Sequence, residues 1–144
     1  MKKVLLIHGP NLDLTGQREP GIYGTDTLAS INAEVVAKCE RQGMDCAVFQ
    51  SNSEGALIDR IHAAREDCDA IIINAGAYTH YSYAIRDAIA AVRLPCVEVH
   101  MSNVHAREAF RRESVIGPVC AGVIAGFGKH SYLLAVDAVK ALLA

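Results

Sequence analysis

Five short apolar runs recur along this chain, separated by segments of helical periodicity, and that alternation constrains the fold more than any other feature. The runs are Lys3–His8, Asp45–Gln50, Ala70–Asn74, Cys96–His100 and residues 121–127. Val and Ile dominate four of them without a clean period of two, as expected for strands buried on both faces. Helices are predicted between them. Residues 27–42 place Leu28, Ile31, Val35 and Cys39 on one face and end at Gly43, a C′ residue. Glu54–Asp67 buries Leu57, Ile58 and Ile61, with Ser53 as N-cap. Residues 82–92 bury Ile85, Ala88, Ile89 and Val92 and are followed by Pro95. Residues 106–112 make a short helix, and 130–143 close the chain.

Strand and helix in strict alternation predict a three-layer α/β fold with a parallel sheet. Five strands in 144 residues suit a single flavodoxin-like domain, 1–144, with strand order 2-1-3-4-5. An apolar fraction of 51% with only 6% aromatics means that aliphatic side chains fill the core. Net charge is −2 with no basic stripe, which argues against nucleic acid as a partner. No run approaches the length of a membrane span, and the apolar run after Met1 is too short for a secretory signal. The five cysteines form no C-x-x-C pair; Cys46, Cys96 and Cys120 read as small core residues, and the odd count suggests a reducing, cytoplasmic setting.

In open α/β sheets ligands bind beyond the carboxyl ends of the strands. Four segments lie there: a long irregular loop over residues 9–25, Ser51 to Ser53, Asn74 to Tyr81, and His100 to His105. The loop is far longer than the roughly 2–6 residues usual for such a connection, which marks it as functional or disordered. It carries Asn11, Arg18 and Tyr23, and a guanidinium near a phenol favours the phenolate. Asn74 has a plain structural reading as an Asx turn. His80 and Asp87 are seven residues apart, two helical turns if the following helix started early; Asp87 can equally be a solvated helix residue. Glu98 and His100 are two apart on a strand and share a face. A carboxylate beside an imidazole orients it and favours its charged form, which suits a general acid. Arg107 and Arg111, at i and i+4 on the short helix, can together grip a carboxylate or phosphate, or simply form a solvated face.

Several motifs fail. Gly122 to His130 has the wrong spacing for a P-loop, and Gly126-Phe-Gly128 lacks the third dinucleotide glycine. His80, His100, His105 and Glu98 show no zinc spacing. No cofactor or metal is expected. A catalytic reading and a non-catalytic binding module both remain open on these grounds.

Four blocks decide between them: Gly9-Pro-Asn-Leu with Arg18-Glu-Pro and Tyr23-Gly; Gly76-Ala-Tyr-Thr-His80; Glu98-Val-His100; and Ser102-Asn-Val-His-Ala-Arg107 with Phe110-Arg111. In order and spacing, end to end, the chain resembles type II 3-dehydroquinate dehydratase. The resemblance implies cofactor-free dehydration of 3-dehydroquinate to 3-dehydroshikimate, in aromatic biosynthesis or quinate breakdown, by a homododecamer built as a tetramer of trimers. It implies Tyr23 as a tyrosinate base and Arg18 as the lid residue stabilising developing charge. Asn11 would bind the enolate through a water, and His100 would be the general acid, with Glu98 orienting it. Asn74, His80, Asp87, Met101, Ser102 and Arg111 would bind substrate, Asp87 from a neighbouring subunit, and Arg107 would set the electrostatics of the tyrosine. The absence of lysine at these strand ends fits, because a Schiff-base route would have no nucleophile. Ala75, Gly21, Ser131 and Tyr81 depart from the commonest family residues, and none removes a catalytic group. Gly21 leads us to expect a poorly ordered lid without ligand.

Overall fold

The computed structural model describes residues 1–17 and 26–144. Arg18, Gly21 and Tyr23, and with them the expectation about lid order, lie outside the described residues.

Five parallel strands form one sheet in the order β2-β1-β3-β4-β5. They are β1 (Lys3–His8), β2 (Asp45–Gln50), β3 (Ala70–Asn74), β4 (Cys96–His100) and β5 (Gly122–Ala125). Four match the predicted bounds. β5 is shorter than predicted, because Gly126 turns the chain at φ 103°, a conformation only glycine adopts readily. Among the described residues, four α-helices connect or follow the strands: α1 (Leu28–Arg41), α2 (Glu54–Asp67), α3 (Tyr83–Val92) and α4 (His130–Leu142).

Alternation along the strands divides the apolar residues between two cores. Val4 and Leu6 of β1, Ile72 of β3 and Val97 and Val99 of β4 pack with Ile31 and Val35 of α1 and Tyr132 and Val136 of α4. Leu5, Ile7, Ile71, Ile73 and Cys96 pack on the opposite face with Leu57 and Ile61 of α2 and Ile85 and Ile89 of α3. β1, β3 and β4 are thus buried on both faces, as their composition predicts, while the edge strands β2 and β5 are partly exposed. Cys96 is buried; Cys46 and Cys120 are only half-buried, because they sit on or beside those edges. Ile58 is half-buried where full burial was expected.

Local signals hold at the helix starts. Ser53 Oγ accepts from the Ala56 N–H at 3.2 Å and Ser82 Oγ from the Ile85 N–H at 3.0 Å, each satisfying a donor that the helix leaves unpaired. The predicted helix 106–112 does not form. Two 3₁₀ turns, Val104–Ala106 and Ala109–Arg112, flank an extended Arg107. Seven residues are too few to sustain a helix without strong tertiary support.

Candidate active site

The carboxyl ends of β1, β3 and β4 open onto a cavity of about 580 Å³, mouth included. Two loops are interlocked at its base. A side chain on Gly9 would collide with the Ala75 backbone, and one on Gly76, at φ 59°, would press within 3.0 Å of the Pro10 carbonyl. These glycines let the β1 and β3 ends touch, which brings Asn11 and Asn74 to one cavity. Asn11 itself takes a left-handed backbone, φ 69°, which asparagine tolerates better than most residues. Its N–H donates to Asn52 Oδ1 at 2.9 Å, so the loop after β2 braces the start of the segment that follows β1.

Asn74 is buried and engaged at both ends of its amide. Oδ1 accepts from the Gly76 N–H at 3.1 Å, the predicted Asx turn, and Nδ2 donates to Tyr132 Oη at 2.8 Å. His80 stands on the 3₁₀ turn Gly76–His80, ahead of α3, so it does not share a helix with Asp87. Its Nδ1–H donates to the Glu113 carbonyl at 2.7 Å, which leaves Nε2 as an acceptor in the neutral ring. Burial, reinforced by the nearby His100 and Arg111, holds the His80 pKa below 6.5 against the opposing pull of that carbonyl. Its ring stacks on His100 with centroids 6.3 Å apart and meets Phe110 edge-on.

On β4, Glu98 and His100 do share a face. His100 Nε2 lies 2.5 Å from Glu98 Oε2, and both residues are buried. Ser114 donates to the other carboxylate oxygen at 2.7 Å and is itself fixed by the Gly117 N–H at 2.9 Å. A buried carboxylate needs such partners. Ser114 is a positioning partner that the sequence reading missed, because nothing local ties it to a strand 16 residues earlier.

Arg107 and Arg111 do not share a helical face, yet both line the cavity. Glu108 Oε1 holds the two Nε atoms, at 3.8 Å from Arg107 and 3.1 Å from Arg111. Its own backbone N–H, then Arg111 and Arg107, keep the Glu108 carboxyl below its usual range. Arg107 Nη1 also reaches Ser102 Oγ at 3.4 Å, and Arg111 lies over the Phe110 ring at 4.8 Å. Beneath Ser102, the β5–α4 loop is pinned by the Gly128 N–H to the Met101 carbonyl at 2.9 Å. Ser131 Oγ accepts from the Phe127 N–H at 3.0 Å and steadies the same loop.

The cavity therefore gathers Asn11, Asn74, His80, His100, Met101, Ser102, Arg107 and Arg111, with Leu12 and Val104 as apolar wall. Glu98 sits behind His100. Asp87 is exposed on α3, outside the lining. Among the described residues no three His, Cys, Asp or Glu side chains group as metal ligands, and no helix is long and apolar enough to cross a membrane.

The dehydroquinase class II family model matches residues 2–140. A 3-dehydroquinate dehydratase of Bacillus cereus is 56% identical over 96% of this chain and 94% of its own length. The crystal structure of type II dehydroquinase from Butyrivibrio crossotus superposes with a TM-score of 0.94 at 46% identity, covering 96% of this chain and 97% of that one. A 3-dehydroquinate dehydratase-like protein from Bifidobacterium longum, 31% identical over 99% and 98% of the two chains, gives 0.74. Fold and sequence agree, and the chain belongs to the dehydroquinase class II family.

Proposed function

We propose that this cavity dehydrates 3-dehydroquinate to 3-dehydroshikimate through an enolate. Tyr23, as tyrosinate, takes the proton at C2 beside the ketone, and the electron pair moves onto the carbonyl oxygen. Arg18 and a water held by Asn11 stabilise that charge, the function of an oxyanion site. The enolate then collapses, the C1–O bond breaks, and His100 gives its proton to the departing hydroxide, so water leaves. The tyrosine proton returns to the histidine through solvent. Substrate and product carry the same charge, and no outside oxidant or reductant is needed.

The observation that supports this reading is the His100–Glu98 pair. Because Nε2 is committed to the carboxylate, Nδ1 is the nitrogen left to face a ligand. General acids placed in this way contribute on the order of 10²–10⁴ in rate. Asn74, His80, Ser102, the Met101 backbone and Arg111 grip the hydroxyls and carboxylate of the substrate, and Arg107 sets the field at Tyr23. We further propose a cytoplasmic homododecamer in which Asp87, exposed on each chain, completes a neighbour's site.

The test is the absorbance of the conjugated enone on mixing the protein with 3-dehydroquinate, with no added metal or nucleotide. Signal from the wild type and its loss in Tyr23→Phe support the mechanism. Silence from folded wild type would overturn the activity, and undiminished turnover by Tyr23→Phe would remove the tyrosine from the base role.

A further inference from the structure

A third imidazole lies behind the cavity wall and takes no part in the chemistry above. His8 ends β1 and is fully buried. In register it stands beside Asn74 of β3. Its Nε2 is 2.7 Å from Asn32 Oδ1 on α1, and its Nδ1 is 3.2 Å from Tyr132 Oη on α4. Tyr132 Oη in turn receives Asn74 Nδ2. The His8 and Tyr132 rings also meet edge-on at 5.3 Å. Four elements thus contribute one residue each to an unbroken polar chain that ends on a cavity side chain.

The proton positions in this chain follow from simple counting. An amide oxygen only accepts, so His8 Nε2 carries a hydrogen. A neutral imidazole then has Nδ1 as acceptor. Tyr132 donates its hydroxyl hydrogen to Nδ1, and its oxygen lone pair is presented to Asn74. Only the NH₂ end of Asn74 can answer it, and the oxygen end is drawn to the Gly76 N–H. Burial, outweighing the Asn32 hydrogen bond, pushes the His8 pKa down to about 4, which keeps the ring in the state that this order requires.

We propose that Tyr132, polarised by His8 and Asn32, is a positioning residue for Asn74, deciding which end of its amide meets the substrate. An asparagine amide is nearly symmetric in shape, and a half-turn would exchange donor for acceptor at the cavity wall. The hydroxyl of Tyr132 makes one of those two orientations the stable one. The inference rests on the reading of Asn74 as a substrate contact.

Steady-state kinetics with 3-dehydroquinate test both layers. Asn74→Ala, Tyr132→Phe and His8→Ala are each expected to raise KM by about threefold to tenfold, the scale of one neutral hydrogen bond, with kcat changed by less. Tyr132→Phe combined with Asn74→Ala is expected to be no worse than Asn74→Ala alone. His8→Asn supplies an acceptor at the Nδ1 position and is expected to bring KM back towards the wild-type value. A merely structural role would lower the melting temperature and leave KM unmoved. If Asn74→Ala raises KM while Tyr132→Phe and His8→Ala do not, the positioning role is overturned and the substrate contact stands. If Asn74→Ala leaves KM unchanged, the substrate contact fails and the positioning role with it. Should the buried variants fail to fold, Asn32→Leu at half-buried Asn32 removes the Nε2 partner; an unchanged KM there overturns the proposal equally.

Discussion

His8 and His100 hold equivalent places in this molecule. Each is the last residue of a central strand and each is buried, but only His100 lines the cavity. They point to opposite faces of the sheet, and their Nε2 partners differ. His100 is given a carboxylate, Glu98; His8 is given an amide, Asn32. An anion can balance a charged imidazole in a dry site, and an amide oxygen cannot. The first arrangement is the one that the proposed general acid needs. The second makes a neutral ring whose use is to fix hydrogen-bond direction.

Removing the proposed acid should have the largest effect. His100→Gln is expected to lower kcat on the order of 10³-fold, about 4 kcal/mol of barrier, read from the enone absorbance. A loss below tenfold would put the acid elsewhere.

The second effect is on stability against pH. His8 has a folded pKa of about 4 against 6.5 for the ordinary ring, so the unfolded chain binds more protons between those values. Stability from this group is present above pH 6.5 and is lost as pH falls through 4, about 3 kcal/mol in all. Urea unfolding at fixed protein concentration, at pH 7 and near pH 4, should show that loss in wild type and a smaller one in His8→Asn. Equal losses would mean that His8 is not held neutral.

Third, Glu98→Gln makes the β4 pair resemble the β1 pair. We expect kcat to fall by about 30-fold, roughly 2 kcal/mol, with KM little changed. Full activity would mean that the carboxylate is dispensable and that the contrast between the two histidines has another origin. The smallest effect should come from Ser114→Ala, which strips one donor from Glu98. About a fivefold loss in kcat is expected, near 1 kcal/mol. A larger loss than in Glu98→Gln would show that Ser114 acts by a route other than the carboxylate.

Legibility in the sequence followed range. Buried strands announce themselves as Val- and Ile-rich runs, and Ser53 announces a helix start, because each signal is contained in a few adjacent residues. The pairing of Glu98 with His100 was visible for the same reason, since i and i+2 on a strand must share a face. The arginine pair shows where this reasoning stops. Spacing put Arg107 and Arg111 on a helix that does not form, yet Glu108 draws both guanidiniums together, one from the extended link between two turns and one from the second turn. The residues were right and the geometry was not, because a seven-residue segment takes its shape from what it packs against.

The sequence alone determined the elements, their alternation, and the strand ends where polar residues would collect, all through periodicity and local propensity. Only the tertiary structure decided which polar groups meet. Tyr132 reaches His8 across 124 positions, and Asn74 across 58. Ser114 comes back to Glu98 from a loop, and Gly9 fits against Ala75 where two strand ends converge. Hydrogen bonds act over about 3 Å, so their partners are set by strand register and helix packing, which no local pattern in the chain encodes.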